Sequence, residues 1–282
     1  MKKFGTRLIS AVLAGCMMTS VLPVSAFALE GSTEFERTVS AQENSDAPAE
    51  PSGEAAAACL LTSGNIINKN FIEEHGGSKV YSMSGTYTEG IVIDAEDEDV
   101  VINVIGETTF DKKDGNKKDC ANFITVRNAN SVTVNAEGQT ITTAEGGLAF
   151  SRCFYAENSF TGTAVLNGGN YNWQCDDISA CYLLGGNWTF DNLTLKTIQC
   201  AIETDKGANV TVNGGTYDCH DSDSATFLIM NSPKSSFNYV TASGAGWVLD
   251  AINSWVDVGG GSYSRNTVSY THLRAHETLR HL

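Results

Sequence analysis

Val210-Thr211-Val212-Asn213-Gly214-Gly215-Thr216-Tyr217 has a counterpart 46 residues earlier, Ala164-Val165-Leu166-Asn167-Gly168-Gly169-Asn170-Tyr171. It has another 46 residues later, Val256-Asp257-Val258-Gly259-Gly260-Gly261-Ser262-Tyr263. Two alternating apolar positions, an Asn or Gly, a further glycine pair and a Tyr return in the same order. Degenerate copies lie halfway between. Aligned on their apolar positions, the words form two columns: Val132, Ala164, Trp188, Val210, Ser235, Val256, and Val134, Leu166, Phe190, Val212, Phe237, Val258. From Leu166 the steps are 24, 22, 25 and 21 residues, so the period is about 23 and the 46-residue recurrence spans two units. Earlier the spacing widens to 30 from Val104 to Val134 and to 32 from Val134 to Leu166, with the polar loops 111–119 and 142–147 as hosts of the extra residues.

Apolar and polar residues alternate within each word, the mark of short strands bounded by turn-forming residues. A second set of strands precedes the turns: Phe123-Ile124-Thr125-Val126, Cys153-Phe154-Tyr155-Ala156, Cys181-Tyr182-Leu183-Leu184, Cys200-Ala201-Ile202, Thr226-Phe227-Leu228-Ile229 and Trp247-Val248-Leu249. No unit holds a helical period long enough for a crossover, which excludes a βαβ fold and leaves a solenoid of strands. The leucine-rich-repeat word is absent. A β-sandwich would not explain the recurring Asn-Gly-Gly-x-Tyr.

These words resemble a right-handed, single-stranded parallel β-helix of the pectate-lyase-like kind. The resemblance covers residues 78–268 and implies an all-β fold whose coils each make three short strands. The turn column Asn135, Asn167, Asp191, Asn213, Asn238, Gly259 resembles the asparagine ladders of that fold. Asn, Asp and Gly tolerate a left-handed bend, and stacked amides can bond one another along the axis. Residues 78–110 fit less well, with Ile105 at the turn position.

Before the repeats, residues 1–28 carry a basic start, an apolar run from Leu8 to Val24 and the small-residue site Ala26-Phe27-Ala28, the pattern of an export signal. Leu13-Ala14-Gly15-Cys16 also resembles a lipobox, but the residues after Cys16 stay apolar, which favours cleavage after Ala28. Residues 29–58 read as an acidic linker, and 59–77 as a cap with a short helix ending at Gly76-Gly77. A formal charge of -15 disfavours nucleic acid and anionic membranes as partners. Cleavage leaves seven of the eight cysteines, an odd number that reads as buried thiols, with Cys153, Cys181 and Cys200 expected in one column and a disulfide between adjacent coils geometrically open.

Several groups could carry chemistry. Trp173-Gln174-Cys175-Asp176-Asp177 resembles the paired-aspartate segment of polygalacturonases, which implies Asp176 and Asp177 as catalytic carboxylates; the other words of that family are missing, so a solvated turn is the competing reading. Asp218, Asp221 and Asp223, around His220, are calcium candidates through oxygen ligands, without an EF-hand pattern. The core arginines are Arg127 and Arg152. The basic loop Asp111-Lys112-Lys113-Asp114-Gly115-Asn116-Lys117-Lys118-Asp119 could form a binding rim. Trp173, Trp255, Tyr171, Tyr217 and Tyr263 would stack sugar rings if exposed and belong to the core if buried. Residues 269–282 hold three of the five histidines and no repeat; they resemble translated sequencing adapter, with a capping helix carrying His272 and His276 as the alternative.

The expectation is an exported β-helix at the cell surface or secreted, adhesin-like or carbohydrate-binding, with no catalysis in this stretch and no cofactor beyond a candidate calcium. The alternatives are a polysaccharide-degrading enzyme acting on extracellular glycans and a purely structural stalk.

Overall fold

The computed structural model describes residues 59–112, 120–144, 150–175 and 177–265. The expected signal peptide, the linker, most of the basic loop, Asp176 and the adapter-like tail lie outside the described residues.

The described residues form an all-β parallel solenoid of about eight coils, in which strands pair in parallel with their equivalents in the adjoining coils. Each complete coil lays one strand on each of three faces. The first face includes Ser131–Asn135, Thr163–Asn167, Asn187–Asp191, Asn209–Asn213, Ser235–Asn238 and Val256–Val258. The second includes Thr140–Thr143, Asn170–Trp173, Thr194–Thr197, Thr216–Cys219, Val240–Gly244 and Gly261–Arg265. The third runs Ile66–Asn68, Ile91–Asp94, Ala121–Asn128, Ser151–Ala156, Cys181–Leu183, Ile202–Thr204, Ala225–Met230 and Trp247–Ile252. Asp99–Phe110 is long enough to turn the corner: its start pairs with the first face and its end with the second.

Both inward columns read from the sequence are in register, Val132 with Ala164, Trp188 and Val210, and Val134 with Leu166, Phe190, Val212, Phe237 and Val258. Most of these side chains are buried, each contributing about 1.5–3 kcal/mol before chain entropy is subtracted. The polar partners alternate outward, so period two survives along every strand.

The asparagine turn runs as a chain of amide bonds. Asn135 Nδ2–H donates to Asn103 Oδ1 at 2.9 Å, Asn167 to Asn135 at 2.8 Å, Asn213 to Asp191 at 2.7 Å and Asn238 to Asn213 at 3.0 Å. This corrects the reading of residues 78–110. Ile102, not Val104, pairs with Val134, so Asn103 holds the ladder position and Ile105 is an exposed corner residue. Alignment on hydrophobicity alone slips by two residues here, which period two cannot detect.

A second correction concerns the bend. From Asn167 onward it is the residue after the ladder position that turns left-handed: Gly168 (φ 61°), Asn192 (55°), Gly214 (63°), Tyr239 (56°) and Gly260 (106°). At Gly215, which follows, a Cβ would lie 2.3 Å from the Leu193 carbonyl, so close coil packing enforces the second glycine. A separate ladder at the end of the third face was not anticipated. There Asn253 donates to Asn231 and Asn231 to Asp205, each at 2.7 Å, and Asn231 and Asn253 themselves have positive φ.

The stretch 59–77 holds the short helix expected of it and two short strands. Its helix, Lys69–Glu74, is N-capped by Asn68 and stops before Gly76 and Gly77, both left-handed. Cys59–Leu60 and Ile66–Asn68 already pair with the first and third faces.

The cysteines do not share one column. Cys181 pairs with Phe154 and Ile202, so Cys153 and Cys200 are out of register with it. Cys59, Cys153, Cys181, Cys200 and Cys219 form no disulfide; Cys153, Cys175, Cys181, Cys200 and Cys219 are buried, and Cys59 and Cys120 are partly buried. Burial pushes the thiols of Cys153, Cys181, Cys200 and Cys219 upward, away from the reactive thiolate.

Candidate functional site

The aromatic residues divide by which way the strand turns them. Trp173 is wholly buried, its Nε1–H bonded to the Ser151 carbonyl at 2.9 Å and its ring against Phe110 and Phe123. Tyr171 and Tyr217 are also core, and Tyr263 is half-buried. Of the two readings of Trp173 the buried one holds, because the Gly-Gly turn restarts the alternation with this tryptophan inward. Trp255 is 53% exposed and donates to Asp257 Oδ1 at 3.1 Å.

Asp177 is exposed in a turn with φ 65°, while Asp176 lies outside the described residues. Asp218 accepts a hydrogen bond from Ser243 at 2.6 Å and has His220 Nε2 at 3.1 Å from its other oxygen; Asp221 accepts the Asp223 N–H at 3.0 Å. Among the described residues no three His, Cys, Asp or Glu side chains come together as a metal site. Lys112, at the start of the basic loop, pairs with Glu89, and Arg127 with Glu157 at 2.8 Å. A groove of about 570 Å³ along the asparagine turn, lined by Asn135, Glu137, Asn167 and Asp191, belongs to the ladder.

The arrangement with chemical content is on the outer side of the third face. Register places Thr125, Tyr155, Tyr182, Glu203, Leu228 and Asp250 in one outward column across six coils. The Tyr155 and Tyr182 rings are stacked, with centroids 6.2 Å apart. The Arg152 guanidinium carbon lies 5.3 Å from the Tyr155 centroid and 4.9 Å from that of Tyr182, a geometry in which the ring faces attract the cation. Among the described ion pairs Arg152 takes no part, and its Nε is buried without a hydrogen-bond partner. Asn122, its register partner in the preceding coil, has Oδ1 in the same condition.

Glu203 completes the cluster. Ser179 Oγ–H donates to its Oε2. Burial pushes the carboxyl above the usual range, opposed by the Ser179 hydrogen bond and by the charge of Arg152. Two residues on, Asp205 is held below the usual range by bonds from Asn231 and the Lys206 N–H. Ser179 lies two residues beyond the Asp176-Asp177 pair singled out in the sequence. Aligning the third-face strands on Phe154, Cys181 and Ile202, instead of on their cysteines, would have brought Tyr155, Tyr182 and Glu203 into one column.

No protein-family model matches this chain, and neither a curated protein nor a solved structure does. No helix among the described residues is long and apolar enough to cross a membrane.

Proposed function

We propose that this solenoid is an exported, adhesin-like protein that binds a glycan through the outer side of its third face. The observation that carries the reading is the Arg152 guanidinium spread over Tyr155 and Tyr182 beside the Glu203 carboxyl. Sugar rings offer C–H faces to aromatic surfaces and hydroxyls to planar guanidinium and carboxylate groups. A rigid sheet holds such groups with little ordering cost on binding. The signal-like start and the acidic charge fit an extracellular setting without nucleic-acid partners. Glycan-array binding that drops at least about tenfold in Tyr182→Ala and in Arg152→Gln, on variants that keep their melting temperature, is the expected outcome. Absence of binding to every glycan ends this reading and leaves a structural stalk.

A polysaccharide hydrolase is favoured by one observation of its own: Glu203 is pushed up by burial while Asp205 is held down, the division of roles between an acid and a base. Incubation with polysaccharides should then release reducing ends with wild type and not with Glu203→Gln. No release from any substrate, with or without chelator, removes this reading, including catalysis by Asp176 and Asp177 or by a calcium-bound turn at Asp218, Asp221 and Asp223.

A further inference from the structure

The cluster on the third face holds a carboxylate whose second function is legible in its neighbours. Glu203 has one oxygen engaged by Ser179, and an ionised carboxyl offers about four acceptor positions. The remaining acceptors sit in the outward column next to Tyr182, the aromatic platform. Arg152, fixed by the two rings and not by a carboxylate, supplies donors on the same side. Donors and a carboxylate at the edge of an aromatic platform match a pair of adjacent hydroxyls on a sugar ring: both hydroxyls can donate to the carboxylate while the guanidinium donates to their oxygens.

We infer that Glu203, in its ionised form, clasps two adjacent hydroxyls of the bound sugar, and that taking up a proton opens the clasp. This rests on the glycan-binding reading. A protonated carboxyl keeps one acceptor oxygen and becomes a donor, so it can no longer receive both hydroxyls. The surroundings set where this happens. Arg152 and Tyr155 face Glu203 from the strand before last, Tyr182 from the preceding strand, and Cys200 and Asp205 from its own chain; Leu228, its partner in the following coil, brings no charge. Burial and Asp205 favour the protonated form, Ser179 and Arg152 the ionised one, and burial is the largest of these influences. Release therefore begins at milder acidity than an ordinary glutamate would require.

The experiment is titration calorimetry with a sugar selected by the array, run from neutral pH downward, against its deoxy analogue lacking one of the two hydroxyls. Wild type is expected to lose affinity about tenfold per pH unit once Glu203 takes up its proton, because binding then competes with a single proton. Glu203→Gln should bind at least tenfold more weakly at neutral pH and show no such slope. Ser179→Ala, which removes the bond that favours the ionised form, should shift the onset of the loss to higher pH. A flat wild-type profile, an unchanged slope in Glu203→Gln, or equal binding of the deoxy analogue overturns the clasp and leaves glycan binding standing. No binding of any sugar at neutral pH overturns both. Thermal melts at each pH separate loss of affinity from loss of fold.

Discussion

Asn213 donates its Nδ2–H to Asp191 Oδ1 at 2.7 Å, but the Asp191 side chain has no N–H to pass on to Asn167 in the coil before it. The ladder from Asn103 to Asn238 is therefore interrupted at this one step, where an amide oxygen and a carboxylate face each other as acceptors. Asp191→Asn would restore the missing donor and still accept from Asn213. It is expected to raise stability by about 0.5–1.5 kcal/mol, the net value of one intramolecular hydrogen bond. Chemical denaturation of the two proteins at matched pH checks this; a less stable variant would show that the carboxylate is supported by something the ladder does not include.

Asn213→Val tests the ladder from the other side. Asn213 both donates to Asp191 and accepts from Asn238 at 3.0 Å, so valine breaks two bonds and leaves two partly buried partners unmatched. A loss of about 1–3 kcal/mol is expected, in spite of valine's suitability for a strand. An unchanged melting temperature would refute the ladder as a source of stability.

Trp173 and Trp255 separate core from surface. Trp173→Ala empties a buried site packed on Phe110 and Phe123 and should cost about 3–5 kcal/mol. Trp255→Ala, at an exposed site, should stay within about 0.5 kcal/mol of wild type. Equal losses in the two melts would contradict the inward orientation of Trp173.

Tyr239 is 79% exposed and sits at φ 56°, a region that costs an ordinary L-residue about 1–2 kcal/mol and glycine almost nothing. Gly214 and Gly260 occupy the same step in neighbouring coils. Tyr239→Gly should therefore raise the midpoint of unfolding, by about 0.5–1 kcal/mol once the greater freedom of glycine in the unfolded chain is subtracted.

Glu203 gives a stability prediction with a definite sign. Its folded pKa is raised, so the folded protein holds this proton more tightly than the unfolded chain, and the group destabilises increasingly as pH rises from the ordinary carboxylate range to the folded pKa. Glu203→Gln should accordingly melt higher than wild type at neutral pH, and the difference should shrink as pH falls below the ordinary carboxylate range. A gap that widens on acidification would mean that the Ser179 and Arg152 interactions outweigh burial.

The repeat made most of the fold legible. Val132, Val134 and their successors could be aligned because a solenoid places equivalent residues at nearly constant separation, and an inward position tolerates few polar substitutes. The same logic failed at Asp99–Phe110, where several apolar residues alternate and a slip of two leaves the pattern intact. It failed again for the cysteines, which lie after turns whose lengths vary from coil to coil.

By itself the sequence determined the coil, its period, the two inward columns and the asparagine turn, because each of these repeats and each is set by neighbours a fixed number of residues apart. Only the tertiary structure decided that Arg152, Tyr155, Ser179, Tyr182 and Glu203 meet. They come from three successive coils, and the repeat relates only Tyr155, Tyr182 and Glu203 to one another. Their proximity depends on the register with which one coil stacks on the next, which is fixed by the summed packing of the core and not by any local run of residues.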